Sequence, residues 1–230
     1  FIILLIGFFL FYKFKKKINK KELKIIIIIF LLLFIGFFIA KTNEDFPFYH
    51  LPMSLQIVEQ KIQFGLGNLN IGYNHYSSLF LLNFLFYLPV TGIYLFNLTN
   101  FLFQVFFFSS LLVFLNNKKI PDFVLILIGI TFLIFLTKFN RLAEYGVDMP
   151  GQLLVTLGII FCLIFIFLEK KPDKETSLSL FELSFYLMIF ALSTKILYSI
   201  YIIIPLVLAL YFFKFTDLVK HFFKIKFLFL

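Results

Sequence analysis

Hydrophobic residues in this chain come in long unbroken runs separated by short polar stretches. The runs cover about residues 25–40, 97–115, 122–137, 151–168, 178–194 and 197–213. A helix of roughly twenty apolar residues crosses a hydrocarbon core about 30 Å thick. Strands of an outer-membrane barrel would instead alternate apolar and polar positions over stretches of about ten residues. The pattern therefore predicts an all-α, polytopic transmembrane helical protein, with residues 1–230 forming a single transmembrane domain.

Lysine placement orders the runs. Residues 13–24, KFKKKINKKELK, carry seven lysines and one acid, which puts them on the cytoplasmic side by the positive-inside rule. The run at 25–40 then leads to a long polar external segment, 41–78. Residues 79–96 are apolar but contain Asn83, Pro89 and Gly92. If they cross, Lys118, Lys119, Lys170, Lys171 and Lys174 fall outside. If they stay at the outer face, only Lys138 and Arg141 are misplaced, five residues against two. The expectation is a re-entrant or juxtamembrane segment at 79–96, of the kind tolerated where protein covers its loose backbone.

Composition changes this picture little. The chain is 62% hydrophobic and 14% charged, with a mean hydropathy of +1.02. Soluble domains carry about 25% charged residues, so disorder and a single soluble core are both excluded. The net charge of +9 lies between apolar runs, where it orients helices, and no nucleic-acid partner is expected. Cys162, the single cysteine, reads as a small core hydrophobe. The chain opens at Phe1 in one apolar run and stops in another, FFKIKFLFL. It is read as a fragment, incomplete at both ends.

Three polar stretches carry the candidate chemistry. The first is Glu44, Asp45, Tyr49 and His50, immediately after an apolar run, with Pro47 and Pro52 fixing the local backbone. Pro52 is a natural first helical residue, so an interfacial helix over MSLQIVEQKIQ is expected. These side chains read either as a solvated boundary loop or as a carboxylate held over a cleft beside an imidazole and a phenol. The second stretch, FGLGNLNIGYNHYSS at 64–78, lacks the spacing of a dinucleotide fingerprint. Its Asn68, Asn74 and His75 suit hydrogen bonding to a neutral polyhydroxyl ligand, or simply satisfy loop backbone. The third runs from Arg141 to Gln152. Asp148 there opens an apolar run, where an acid interacts well with first-turn amides, and Arg141 sits at the spacing to pair with Glu144. Ionisable residues beside membrane segments are costly and mark function by default. Lys195, between two apolar runs, is a boundary residue or a cation that reaches a phosphate.

Glu44-Asp45 with Tyr49 four positions on, FYHLPMSLQIVEQ, GLGNLN, GYNHYSS and EYGVDMP together resemble the membrane-embedded glycosyltransferases of the GT-C superfamily. The resemblance is to the branch of protein mannosyltransferase-like and aminoarabinose transferase-like enzymes, and within it to a family of bacterial multipass proteins. It covers roughly residues 25–213, and Asp148 stands one residue further from Pro150 than is usual there. What it implies is transfer of a sugar from a polyprenyl-phosphate-linked donor to an acceptor lipid or glycan hydroxyl. The active face would be the periplasmic face of the bacterial inner membrane, and the role cell-envelope assembly. Asp45 and Asp148 would be catalytic. Glu44, Tyr49, His50, Asn68, Asn74, His75, Arg141 and Lys195 would bind substrate. A divalent cation, Mg or Mn, is an option in that superfamily, with Asp45, Asp148 and His50 as its possible ligands. The alternatives are a transporter or flippase of lipid-linked envelope precursors, or a polysaccharide polymerase or ligase.

Overall fold

The computed structural model describes residues 19–37, 45–59, 65–68, 71–74, 77–88, 90–138, 146–168 and 174–222. Among these the chain is all-α, and its strand-like pairing is a lone bridge between Leu88 and Gly92. Helix α1 spans Lys20–Phe37. A π-helical turn, Phe46–His50, runs directly into α2, Leu51–Glu59. Two 3-10 turns follow, Leu66–Asn68 and Ile71–Asn74, then α3, Ser78–Asn83. The long helices are α4, Leu98–Leu115, α5, Asp122–Thr137, α6, Asp148–Phe167, and α7, Lys174–Thr194. A 3-10 segment, Ile196–Ile202, leads into α8, Ile203–Phe212, and α9, Phe215–Phe222, closes the described chain.

Local chemistry sets these boundaries. Ser77 caps α3 by accepting from the Leu79 N–H at 3.2 Å, meeting one of the orphan donors at a helix start. Pro121, in extended backbone, ends the turn after α4, and Asp122 opens α5 at the positive end of its dipole. At the end of α7, Ser193 and Thr194 donate back to the carbonyls of Phe190 and Ala191, both at 2.7 Å. Lys195 then turns extended, which stops the helix.

Three of the described helical stretches are long and apolar enough to cross a membrane: Ile93–Leu115, Asp148–Phe167 and Ser177–Thr194. Asp122–Thr137 and Ile196–Phe212 are shorter apolar helices. The chain is a multi-pass membrane protein. On α5 the exposed face is Phe123, Ile126, Leu127, Ile130, Leu133 and Ile134, a surface that suits hydrocarbon and not water.

The core is packed largely by phenylalanine. Phe107 meets Phe135 at 4.8 Å between centroids, Phe108 meets Phe132 at 5.2 Å and Phe114 meets Phe161 at 5.2 Å, all edge to face. That is the arrangement the ring quadrupole favours. The closest helix pair is α6 with α7, where small residues let backbones approach. Ser184 donates to the Gly158 carbonyl at 2.8 Å, and Cys162 lies 3.1 Å from the same hydroxyl. Cys162 is buried there, as a small core residue.

Two expectations are corrected. The helix expected to begin at Pro52 begins earlier: Asp45 is the N-cap, Pro47 lies in the first turn and Pro52 falls inside the continuing helix. The run at 197–213 is helical but not α-helical throughout, because Ile196–Ile202 is tightened into 3-10 geometry. The described residues of 78–97 include α3, short 3-10 turns at Phe84–Phe86 and Ile93–Leu95, and Gly92 at positive φ in the bridge to Leu88. Hence the Lys20 end of α1 and the Asn116–Asn117 end of α4 lie together at one end of the bundle.

Candidate functional site

The site lies at the other end, where α6 begins and α7 stops. Asp148 is the first residue of α6. Lys195 follows the last residue of α7, and its Nζ lies 2.7 Å from Asp148 Oδ1. The pair is part-open, with the side chains 52% and 38% exposed respectively. Tyr198 docks the 3-10 segment onto the same helix start by donating its hydroxyl to the Asp148 carbonyl at 3.0 Å. Gly151 makes this possible: a Cβ there would collide with the Tyr198 ring and lie 2.7 Å from Thr194 Oγ1. Asn100 of α4 donates to the Gly146 carbonyl at 2.9 Å, tying α4 to the segment that enters α6.

Asp45 approaches from the π-helical turn. It is exposed, and the Tyr49 hydroxyl donates to its Oδ2 over a long 3.5 Å. Tyr49 joins the two acids. Its pKa is raised above the ordinary value, first by burial, then by the negative charges of Asp45 and Asp148, and last by the Asp45 hydrogen bond. Asp148 contributes to this rise together with Asp45, although about a hundred residues separate the two acids. Gly72 lies flat on the Tyr49 ring, where a Cβ would approach Cγ to 2.8 Å. The 3-10 turns carrying Asn68 and Asn74 therefore sit over this corner, with both asparagines exposed.

His50 is placed differently. It is 2% exposed, with its ring 4.3 Å from Tyr49 and 5.5 Å from Phe80. It supports Tyr49 from beneath and presents no open imidazole. Among the described residues, no three His, Cys, Asp or Glu side chains are grouped to hold a metal ion, Asp45, His50 and Asp148 included. Glu44, His75 and Arg141 lie outside the described residues. Lys138 engages Gln152 and Phe135: its Nζ is 3.4 Å from Gln152 Oε1 and 5.5 Å from the Phe135 ring centroid.

Below the ion pair lies an apolar groove of about 390 Å³. Leu82, Leu85 and Phe86 wall one side, Thr99, Leu102, Phe103 and Phe106 of α4 another, and Leu154, Leu187 and Phe190 of α6 and α7 the rest. Leu154 is six residues into α6 and Phe190 five before Lys195, so the groove begins one to two turns beneath the charges. A Ser78–Ser193 hydrogen bond of 2.8 Å clamps α3 to α7 at that level.

Sequence reasoning passed over Gly151 and Tyr198, whose roles depend on two runs docking against each other. It also passed over Glu182, which is buried inside α7 and accepts from Tyr186 at 2.8 Å. A charged residue inside an apolar run is a signal readable from sequence.

In comparisons with known proteins, no family model matches the chain, and neither a curated protein nor a solved structure matches it. The GT-C resemblance thus stands on its short sequence motifs alone.

Proposed function

We propose that this protein is a membrane-embedded glycosyltransferase of GT-C type in the bacterial inner membrane. It moves a sugar from a polyprenyl-phosphate-linked donor to an acceptor hydroxyl at the periplasmic face, in assembly of envelope glycans or glycoconjugates. The observation that supports this reading is the Lys195–Asp148 ion pair of 2.7 Å at the bundle end above an apolar groove.

Each part has a chemical task. Asp45, exposed and lightly held, takes the acceptor proton as the acceptor oxygen bonds to the anomeric carbon. The bond from that carbon to the lipid phosphate breaks, and the phosphate leaves with the electron pair. Lys195 has three N–H donors and directs one at Asp148, which leaves two for the departing phosphate, where developing charge must be met by a preorganised cation. Asp148 holds that cation in place. The isoprenoid chain lies in the groove, and Asn68 and Asn74 face the sugar hydroxyls.

The test is transfer from a defined polyprenyl-phosphate sugar by the purified full-length protein in lipid. Transfer by the native protein and its loss in folded Asp45→Asn protein support the reading. Near-normal transfer by that variant removes Asp45 as the base. A second reading, a transporter of lipid-linked precursors, is favoured by the buried Glu182–Tyr186 pair, since intramembrane carboxyls mark pathways in transporters. Flux across vesicles that Glu182→Gln abolishes, without any transfer activity, would select it.

A further inference from the structure

The end of the bundle opposite Asp148 carries a second cavity, of about 310 Å³. Asn19, Lys21 and Glu22 at the start of α1 form one wall, Asn116 and Asn117 after α4 form the other, and Val113 lies beneath. We propose that this cavity binds the phosphate headgroup of an anionic phospholipid. The proposal does not rest on the transferase reading.

Charge is the first argument. Lys20, Lys21 and Lys24 on α1 and Lys118 and Lys119 after α4 come to one end of the molecule from positions about a hundred residues apart. On these two segments and the start of α5 the described acids are Glu22, which lines the cavity, and Asp122. Basic pockets between membrane helices attract anionic headgroups in this way. Hydrogen bonding is the second. Asn117 accepts the Lys119 N–H at 3.1 Å through its Oδ1, which leaves its NH₂ group as the donor. Lys21 adds an ammonium on the facing wall.

Position selects a lipid over a free anion. Charge on α1 stops at Lys24 and apolar sequence starts at Ile25, which lines the cavity. Ile27, Ile28 and Leu31 continue along α1 as exposed apolar surface. A phosphate that arrives with acyl chains can use both the polar cavity and that surface, whereas a phosphate from water uses only the first.

The experiment measures binding of short-chain phosphatidylglycerol, short-chain phosphatidylcholine and inorganic phosphate to the full chain in neutral detergent. Phosphatidylglycerol should bind at least about ten-fold tighter than either of the others. A lysine near an anionic surface is worth roughly a five-fold change in affinity, so Lys21→Gln on the cavity wall with Lys118→Gln, next in sequence to the lining residue Asn117, should weaken phosphatidylglycerol by about 25-fold. Lys214→Gln with Lys220→Gln removes the same charge outside the cavity lining and should change it by less than about three-fold. Val113→Trp fills the cavity without altering charge and should abolish the preference in protein with unchanged helical circular dichroism. Equal binding of the two lipids overturns the proposal. So do equal losses from the two lysine pairs, which would mean a diffuse surface potential, and inorganic phosphate bound as tightly as phosphatidylglycerol. Retained preference in folded Val113→Trp protein also overturns it, and if that variant fails to fold the lysine pairs decide.

Discussion

The carboxylates of Asp45 and Asp148 are supported in opposite ways. Asp45 precedes a single π-helical turn, is exposed, and is met by a long 3.5 Å hydrogen bond. Asp148 opens a twenty-residue helix, with buried Met149 and Pro150 directly behind it. One of its oxygens is 2.7 Å from Lys195, and its carbonyl accepts from Tyr198. A general base needs a lone pair turned toward substrate and freedom to follow the proton. A carboxylate oxygen already committed to an ammonium positions that ammonium instead. Under the proposed transferase reading, two acids that look interchangeable in sequence therefore take different roles because of what holds them.

The comparison breaks most decisively at Asp45. Asp45→Asn should cost about 10²–10⁴ in transfer rate, the usual worth of a general base, and Asp148→Asn should cost less while raising KM for the lipid-linked donor. A larger rate loss at Asp148 would reverse the two roles. Next in size is Gly151→Ala, which drives a methyl into the Tyr198 ring. Overpacking of this kind costs about 1–3 kcal/mol, and thermal unfolding should register it. Adding Tyr198→Ala should recover part of the loss, and no recovery would mean that Gly151 serves something other than this docking. Smaller again is the ion pair itself. With both side chains part-exposed, a double-mutant cycle of Asp148→Asn and Lys195→Gln should give a coupling of about 0.2–1 kcal/mol in stability. Several kcal/mol would show that the pair is more deeply enclosed in the membrane-bound protein.

The same contrast governs what the sequence could disclose. Apolar runs set the long helices well: the run at about 122–137 became Asp122–Thr137, and that at about 97–115 became Leu98–Leu115. The ends of such runs also carry readable local signals, Pro121 and Asp122 before α5 among them. Asp148 and Lys195 were legible as charges at the edges of runs, but their pairing was not, because it depends on α7 returning to the start of α6. The π-helical turn at Phe46–His50 was missed because Pro52 is an equally good helix start by local rules. The inward turn of His50 was hidden for a related reason. Phe80, which it packs against, comes from a segment thirty residues on. The 3-10 geometry at Ile196–Ile202 follows from Tyr198 docking at Gly151, a contact that no local pattern encodes.

The smallest effect is the one that tests the convergence directly. Burial, Asp45 and Asp148 all raise the Tyr49 pKa above the ordinary tyrosine value of about 10. The native state therefore holds this proton more tightly than the unfolded state. Stability linked to Tyr49 is fully present below about pH 10 and is lost as pH rises through the native pKa. Tyr49→Phe should flatten that alkaline loss. Subtracting the tyrosinate absorbance of Tyr49→Phe protein from that of each parent isolates the Tyr49 titration. Asp45→Asn should move it down, since it removes both a charge and a hydrogen bond. Asp148→Asn should move it down by less, since it removes a charge alone. If Asp148→Asn leaves the Tyr49 titration where it was, Asp148 does not act on the phenol, and the two carboxylates do not share a site.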